Sequence, residues 1–241
     1  MSDEQTGNEQ SSDATRQETI QPPPRGRAGR WPSLYPAITV FIALNLVVFL
    51  VESLTGGITG SFDAHLYLDP TVLASEPWTL LTTLFVHVNA PSLLAAVFSL
   101  FSAGPLVERV LGHSRFIAVY LIGGFAGGVL TVLTNSGPVA GAGPATLALL
   151  GALLVIYVKG RVPVGRVLQL VGVNLVINVL IVGLGGGFGW VGTLGGVAIG
   201  ALLTLIYAMR PNAAHPNRRN YLVLVVVIVL VLLVLGGIAL T

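Results

Sequence analysis

Seven stretches of the chain are apolar along almost their whole length, each bounded by turn residues or charge. They are Tyr35–Leu54, Ser92–Val107, Arg115–Leu133, Pro144–Val158, Val167–Leu184, Val191–Met209 and Tyr221–Leu240. A helix needs about 20 residues to cross the hydrocarbon core of a bilayer. Runs that are apolar all round present no face to water. The pattern therefore predicts an all-α, polytopic membrane helix bundle. The second and fourth stretches are short for a full span, which predicts partial enclosure by neighbouring helices. A long connection, Thr55–Pro91, separates the first two. Its segment "LYLDPTVLASEPWTLLTTLFVH" mixes aromatic and apolar residues with turns, and predicts an amphipathic piece lying in the membrane interface.

Composition agrees with this reading. Of 241 residues, 54% are hydrophobic and 9% charged, with mean hydropathy +0.84; soluble domains carry about a quarter charged residues. Residues 1–33 differ in kind, being rich in Ser, Gln, Glu, Asp, Pro and Gly and poor in large apolar side chains. Such a segment buries too little surface to offset its ordering entropy, so a disordered cytoplasmic tail is expected. It lacks the pattern of a signal peptide. Arg25, Arg27, Arg30 and Trp31 close it as a juxtamembrane anchor against lipid head groups.

Charge predicts the orientation. All 12 basic residues lie in the tail or in alternate loops: Arg109 and Arg115, then Lys159, Arg161 and Arg166, then Arg210, Arg218 and Arg219. The connections Thr55–Pro91, Thr134–Gly143 and Gly185–Trp190 contain none. By the positive-inside rule the N-terminus is expected in the cytoplasm and Thr241 outside, in a multi-pass protein of the cell membrane.

Small residues four apart let helices approach closely in lipid. Gly192, Gly196 and Gly200 form one such face. Gly123/Gly127 and Gly124/Gly128 form others, and Ala145, Ala148 and Ala152 lie beside Gly151. This predicts close packing of the fourth and sixth spans, with Gly143 and Thr193 near the exterior end of the contact. Intramembrane polar residues are few: Asn45, Thr146, Thr193, and the pair Asn174 and Asn178 on one face of the fifth span. Their ordinary role is interhelical hydrogen bonding; the alternative is a polar face offered to a visiting helix. No acidic residue follows Glu108, which argues against a proton-coupled transporter. The chain has no cysteine, and its four histidines have neither metal-ligand spacing nor an adjacent carboxylate, so no metal or other cofactor is expected.

Four blocks, in order, resemble the rhomboid family of intramembrane serine proteases. "WTLLTTLFVHVNAPSLLAA" is similar to the family's W-R-L-L-T-x-x-F-x-H followed by H-L-L-x-N. "GPLVERVLGHSRF" places Gly104, Glu108 and Gly112 on G-x-x-x-E-x-x-x-G. "GAGPATLALLGA" resembles the G-x-S-G helix start, and "TLGGVAIG" resembles H-x-G-G-x-x-x-G. The resemblance covers the first six spans. It implies a six-helix core plus one C-terminal transmembrane helix, with residues 34–209 as the core and 210–241 as a basic loop and seventh helix. Trp78, His87, Gly104, Glu108, Gly112, Gly196 and Gly200 stand at scaffold positions.

The departures fall where the family keeps its chemistry. The nucleophile position is Gly143 and the base position Thr193. The histidine and asparagine that help hold the oxyanion are replaced by Ser92 and Ala96. The arginine after the tryptophan is Thr79, and Pro144 replaces a glycine. A hydroxyl needs a base to become a nucleophile, and loss of either member of the pair leaves only residual catalysis. The resemblance thus implies a pseudoprotease without catalytic residues. Its expected partners are membrane lipids and single-span or polytopic client proteins, not nucleic acid, with Asn174 and Asn178 as candidate client contacts. Two alternatives stand beside this: a serine endopeptidase using non-standard residues such as Ser136, and a structural assembly protein whose glycine faces serve internal packing alone.

Overall fold

A computed structural model describes residues 35–56, 65–69, 71–134, 141–160, 163–178, 180, 190–209 and 218–240. The tail with its arginine anchor, Ser136 and His215 lie outside the described residues. Eight helices are present among the described residues: α1 (Pro36–Leu54), α2 (Thr79–Thr82), α3 (Ala90–Leu111), α4 (His113–Leu133), α5 (Gly143–Val158), α6 (Val164–Ile177), α7 (Trp190–Ala208) and α8 (Arg218–Leu240). The protein is an all-α, multi-pass membrane bundle. Helices α1, α3, α4 and α7 are long and apolar enough to cross a bilayer, while α5, α6 and Leu222–Val231 of α8 are shorter apolar helices.

The second predicted span is longer than its apolar run. Helix α3 has 22 residues, against the shorter stretch Ser92–Val107 that hydrophobicity alone marks out. Two local devices extend it. Asn89 accepts a hydrogen bond from the Ser92 N–H at 2.9 Å, and the Ser92 hydroxyl oxygen accepts from the Asn89 N–H at 3.4 Å, a reciprocal cap that starts the helix early. At the other end Glu108 is 2% exposed because it serves another helix. Its carboxylate accepts from the N–H groups of Ala37 and Ile38, at 3.1 and 3.2 Å, and so caps α1. The helix stops at Gly112, whose φ of 84° is readily adopted only by glycine and lets α4 begin at the next residue.

Glycine sets the centre of the bundle. Among the described residues the contact between α5 and α7 is the most extensive of any helix pair, followed by α4 with α7 and α4 with α5. A methyl group at Gly196 would strike the Pro144 carbonyl, one at Gly200 the Ala148 carbonyl, and one at Gly151 the Val197 carbonyl. The matched pairs Pro144/Gly196 and Ala148/Gly200 advance together, so α5 and α7 run parallel. On the third side Gly127 receives Pro144 and the Gly192 carbonyl, while Gly123 receives Ala148, so α4 runs antiparallel to both. Three backbones thus meet where side chains would hold them apart, the arrangement lipid favours because it maximises dispersion contact.

The other glycine face of α4 carries the long first connection. Leu84 lies against Gly124, and Leu68 and Leu80 against Gly128. Leu68, Leu73 and Leu80 complete an apolar cluster with Ala126, Val129 and Val132 of α4 and Leu230 of α8. The amphipathic segment therefore docks one face on protein. The opposite face leaves Val72, Trp78 and Leu81 exposed.

Candidate functional site

Position 143 opens helix α5. Gly141 precedes it with φ of 126° and donates its N–H to the Thr83 carbonyl at 3.2 Å, tying the helix start to the first connection. Pro144 stands in the first turn, where its missing N–H costs no helical hydrogen bond. Among the described residues, its chain neighbours and own helix aside, no atom lies within 4 Å of where a Cβ on Gly143 would sit, although Pro144 beside it is buried. Thr193 is 7% exposed and lies one turn before Gly196, which touches Pro144. Residues 143 and 193 therefore share one end of the α5–α7 contact. The chemistry they offer there is a hydrogen atom and a hydroxyl.

Ser92 takes part in the cap of α3 with Asn89, and Ala96 is buried one turn further on. Trp78 is half exposed and donates its indole N–H to the His65 carbonyl at 3.0 Å. Gly104 accommodates Ile38 of α1: a Cβ there would lie 3.0 Å from the isoleucine Cδ1.

His87 lies in the connection between α2 and α3 and reaches α1. Its Nε2 is 2.8 Å from Asn45 Oδ1, and Asn45 Nδ2 donates to the Phe41 carbonyl at 2.7 Å. With that orientation Asn45 Oδ1 can only accept, so His87 carries its proton on Nε2 and leaves Nδ1 bare. Nδ1 has no hydrogen-bond partner among the described residues, and the His87 N–H donates to Glu52 at 3.3 Å. Burial pushes the imidazole pKa down to about 4, so the ring is neutral at physiological pH. Each described histidine has a side-chain partner of its own: His65 with Glu76, His87 with Asn45 and His113 with Glu108.

Asn174 and Asn178 do share a face, and the structure turns that face onto α3. They are 0% and 2% exposed. Asn174 Nδ2 donates to the Ser102 hydroxyl at 3.0 Å and to the Leu170 carbonyl at 2.7 Å. Asn178 Nδ2 donates to the Ser99 hydroxyl at 3.4 Å and to the Asn174 carbonyl at 2.8 Å. Two serines and two asparagines thus form a polar seam between α3 and α6. Sequence reasoning finds the asparagines and misses Ser99 and Ser102, which stand three apart on α3, the spacing of one helix face. It also misses Glu52, an acid buried at the end of an apolar span.

Comparison with known proteins adds kinship to this geometry. The Rhomboid domain family matches residues 74–210, more than half of the chain. The protein named Rhomboid protease GluP, of Bacillus subtilis (strain 168), is 32% identical over 154 residues, 62% of this chain and 29% of that protein. RHOMBOID-like protein 1 of Arabidopsis thaliana is 30% identical over 153 residues, 60% of this chain and 38% of that protein. RHOMBOID-like protein 4 of the same plant is 32% identical over 157 residues, 62% of this chain and 39% of that protein. The matched segment spans well under half the length of each of these relatives.

Proposed function

The chain belongs to the rhomboid family, and we propose that it serves there as a non-catalytic member that binds transmembrane helices of client membrane proteins without cleaving them. The observation that carries this reading is the residue pair at the end of the α5–α7 contact. Gly143 stands at the position of the family's nucleophile and Thr193 at that of its base. A threonine hydroxyl with no imidazole to take its proton is a poor nucleophile. The oxyanion positions, Ser92 and Ala96, lack the family's donors as well, and each such donor is worth about 3 kcal/mol of transition-state stabilisation.

The polar seam supplies a way to bind. The rhomboid resemblance implies a lateral entry route beside the fifth span, and here that span is α6, whose buried residues are Val167 and Asn174, with Asn178 at its end. Intramembrane hydrogen bonds are worth about 0.6–2 kcal/mol each, so parting α6 from α3 at Ser102–Asn174 and Ser99–Asn178 costs little. A client helix bearing polar or helix-weakening residues replaces those bonds with its own. In this reading residues 34–209 are the six-span working unit and α8 is an added seventh helix. The N-terminus faces the cytoplasm, and residues 1–33 form a tail.

Photo-crosslinkers at positions 174 and 178 test the reading in membranes. Capture of single-span proteins supports it; crosslinks confined to α3 and lipid contradict it. The kinship with Rhomboid protease GluP favours one other reading, a serine endopeptidase built from non-standard residues. A serine-reactive fluorophosphonate probe on the pure protein, with Ser136→Ala and Ser92→Ala controls, separates the two.

A further inference from the structure

A cavity of about 470 Å³ opens between α3 and α6, separate from the α5–α7 contact. Its lining is graded along the helix axis. Arg166 and Gln169, both exposed, stand in the first turns of α6. Leu170 and Val173 of α6 form apolar walls, Ser102 and Asn174 lie deeper, and Phe98 of α3 lies one turn beyond them because α3 and α6 run antiparallel. At 1.5 Å per residue Asn174 is roughly 15 Å below the start of α6, about half the hydrocarbon thickness of a bilayer. With the start of α6 taken at the membrane surface, the polar mouth lies there and the apolar walls within one leaflet.

The charge at the mouth is unbalanced among the described residues. Among the described residues Arg166 has no carboxylate within ion-pair distance. The chain carries no acidic residue after Glu108, and Glu108 is committed to the α1 N-terminus and His113. A guanidinium presents a planar fork of donors that suits a phosphate, and basic pockets between membrane helices hold anionic lipid head groups. The volume lies within the range of ligand pockets.

We propose that this cavity binds one anionic phospholipid of the leaflet that faces the N-terminal end of α6. The phosphate pairs with Arg166, the Gln169 amide donates to the phosphate or ester oxygens, and an acyl chain runs along Leu170 and Val173 towards Phe98. The proposal does not require the seam to part or any client to bind, so it stands or falls independently of the function proposed above.

Native mass spectrometry of the delipidated full chain in detergent tests it, with phosphatidylglycerol or phosphatidylcholine added. The wild type retains one phosphatidylglycerol in preference to phosphatidylcholine, and excess inorganic phosphate does not displace it. Arg166→Gln lowers retention of phosphatidylglycerol about five-fold, the effect of one basic side chain at an anionic surface, and erases the preference. Val173→Phe, at a position 42% exposed and so tolerant of substitution, narrows the cavity and lowers retention of both lipids. Unchanged retention in either variant, equal retention of both lipids by the wild type, or displacement by phosphate overturns the proposal.

Discussion

Replacing Gly196 with alanine should destabilise the bundle, although the same change in an open helix position stabilises. Alanine is favoured over glycine in a helix interior by about 1 kcal/mol. At position 196 the added methyl would collide with the Pro144 carbonyl oxygen and lie 2.8 Å from the carbonyl carbon and 3.0 Å from Cα. Comfortable carbon contacts are about 3.5–4.0 Å. The obstacle is backbone, which cannot rotate aside, so α5 and α7 must separate and lose dispersion contact along their whole interface. Overpacking of this kind costs about 1–3 kcal/mol and occasionally more, which outweighs the gain in propensity. Gly172→Ala is the matched control, because among the described residues no atom outside its own helix lies within 4 Å of its Cβ position in the middle of α6. Unfolding free energy in mild detergent, measured on the two variants and the wild type, should fall for Gly196→Ala and hold or rise for Gly172→Ala. Equal stability of Gly196→Ala and wild type would refute the close-contact argument.

Further expectations concern other parts of the molecule. Glu108→Ala removes a charged acceptor from two N–H groups of α1 and should cost about 2–5 kcal/mol in the same unfolding assay; a variant as stable as wild type would mean that α1 is capped otherwise. Ser102→Ala should weaken the α3–α6 seam by about 0.6 kcal/mol and raise crosslinking of α6 to client helices; lower crosslinking would contradict the opening mechanism. The His87 pKa is depressed from 6.5 to about 4 in the folded state, so the unfolded chain binds the extra proton first. Its contribution to stability is whole above pH 6.5 and is lost as pH falls through about 4. The stability–pH curve of His87→Gln should be flatter over that window, and an identical slope would count against a neutral buried ring. Gly143→Ala should change stability by no more than about 0.5 kcal/mol, because its Cβ position is open.

The all-α membrane bundle, with four helices long enough to cross a bilayer, and the glycine spacing were legible because lipid imposes simple rules. Spans must be long and apolar, and backbones approach only where side chains are small. That suffices to pair Gly196 and Gly200 with α5. The length of α3 was not legible, because its ends are set by Asn89 capping Ser92 and by Glu108 reaching another helix, and a buried charge looks like a span boundary until its partner is known. The first connection reads as an interfacial segment because alternating apolar residues do not say whether lipid or protein covers them; Gly124 and Gly128 take Leu84, Leu80 and Leu68. Asn174 and Asn178 were visible as a shared face, but their direction depends on Ser99 and Ser102, two small hydroxyls whose same-face spacing on α3 does not say which helix they meet.

Cleavage inside the membrane decides between binding and proteolysis. Pure protein would be reconstituted with a single-span substrate bearing a polar, helix-weakening segment, and its products followed by mass spectrometry beside an active rhomboid protease. A non-catalytic member leaves the substrate intact and nonetheless co-purifies with it. A cut within the substrate's membrane segment, abolished by a single serine or threonine substitution, would contradict a non-catalytic role.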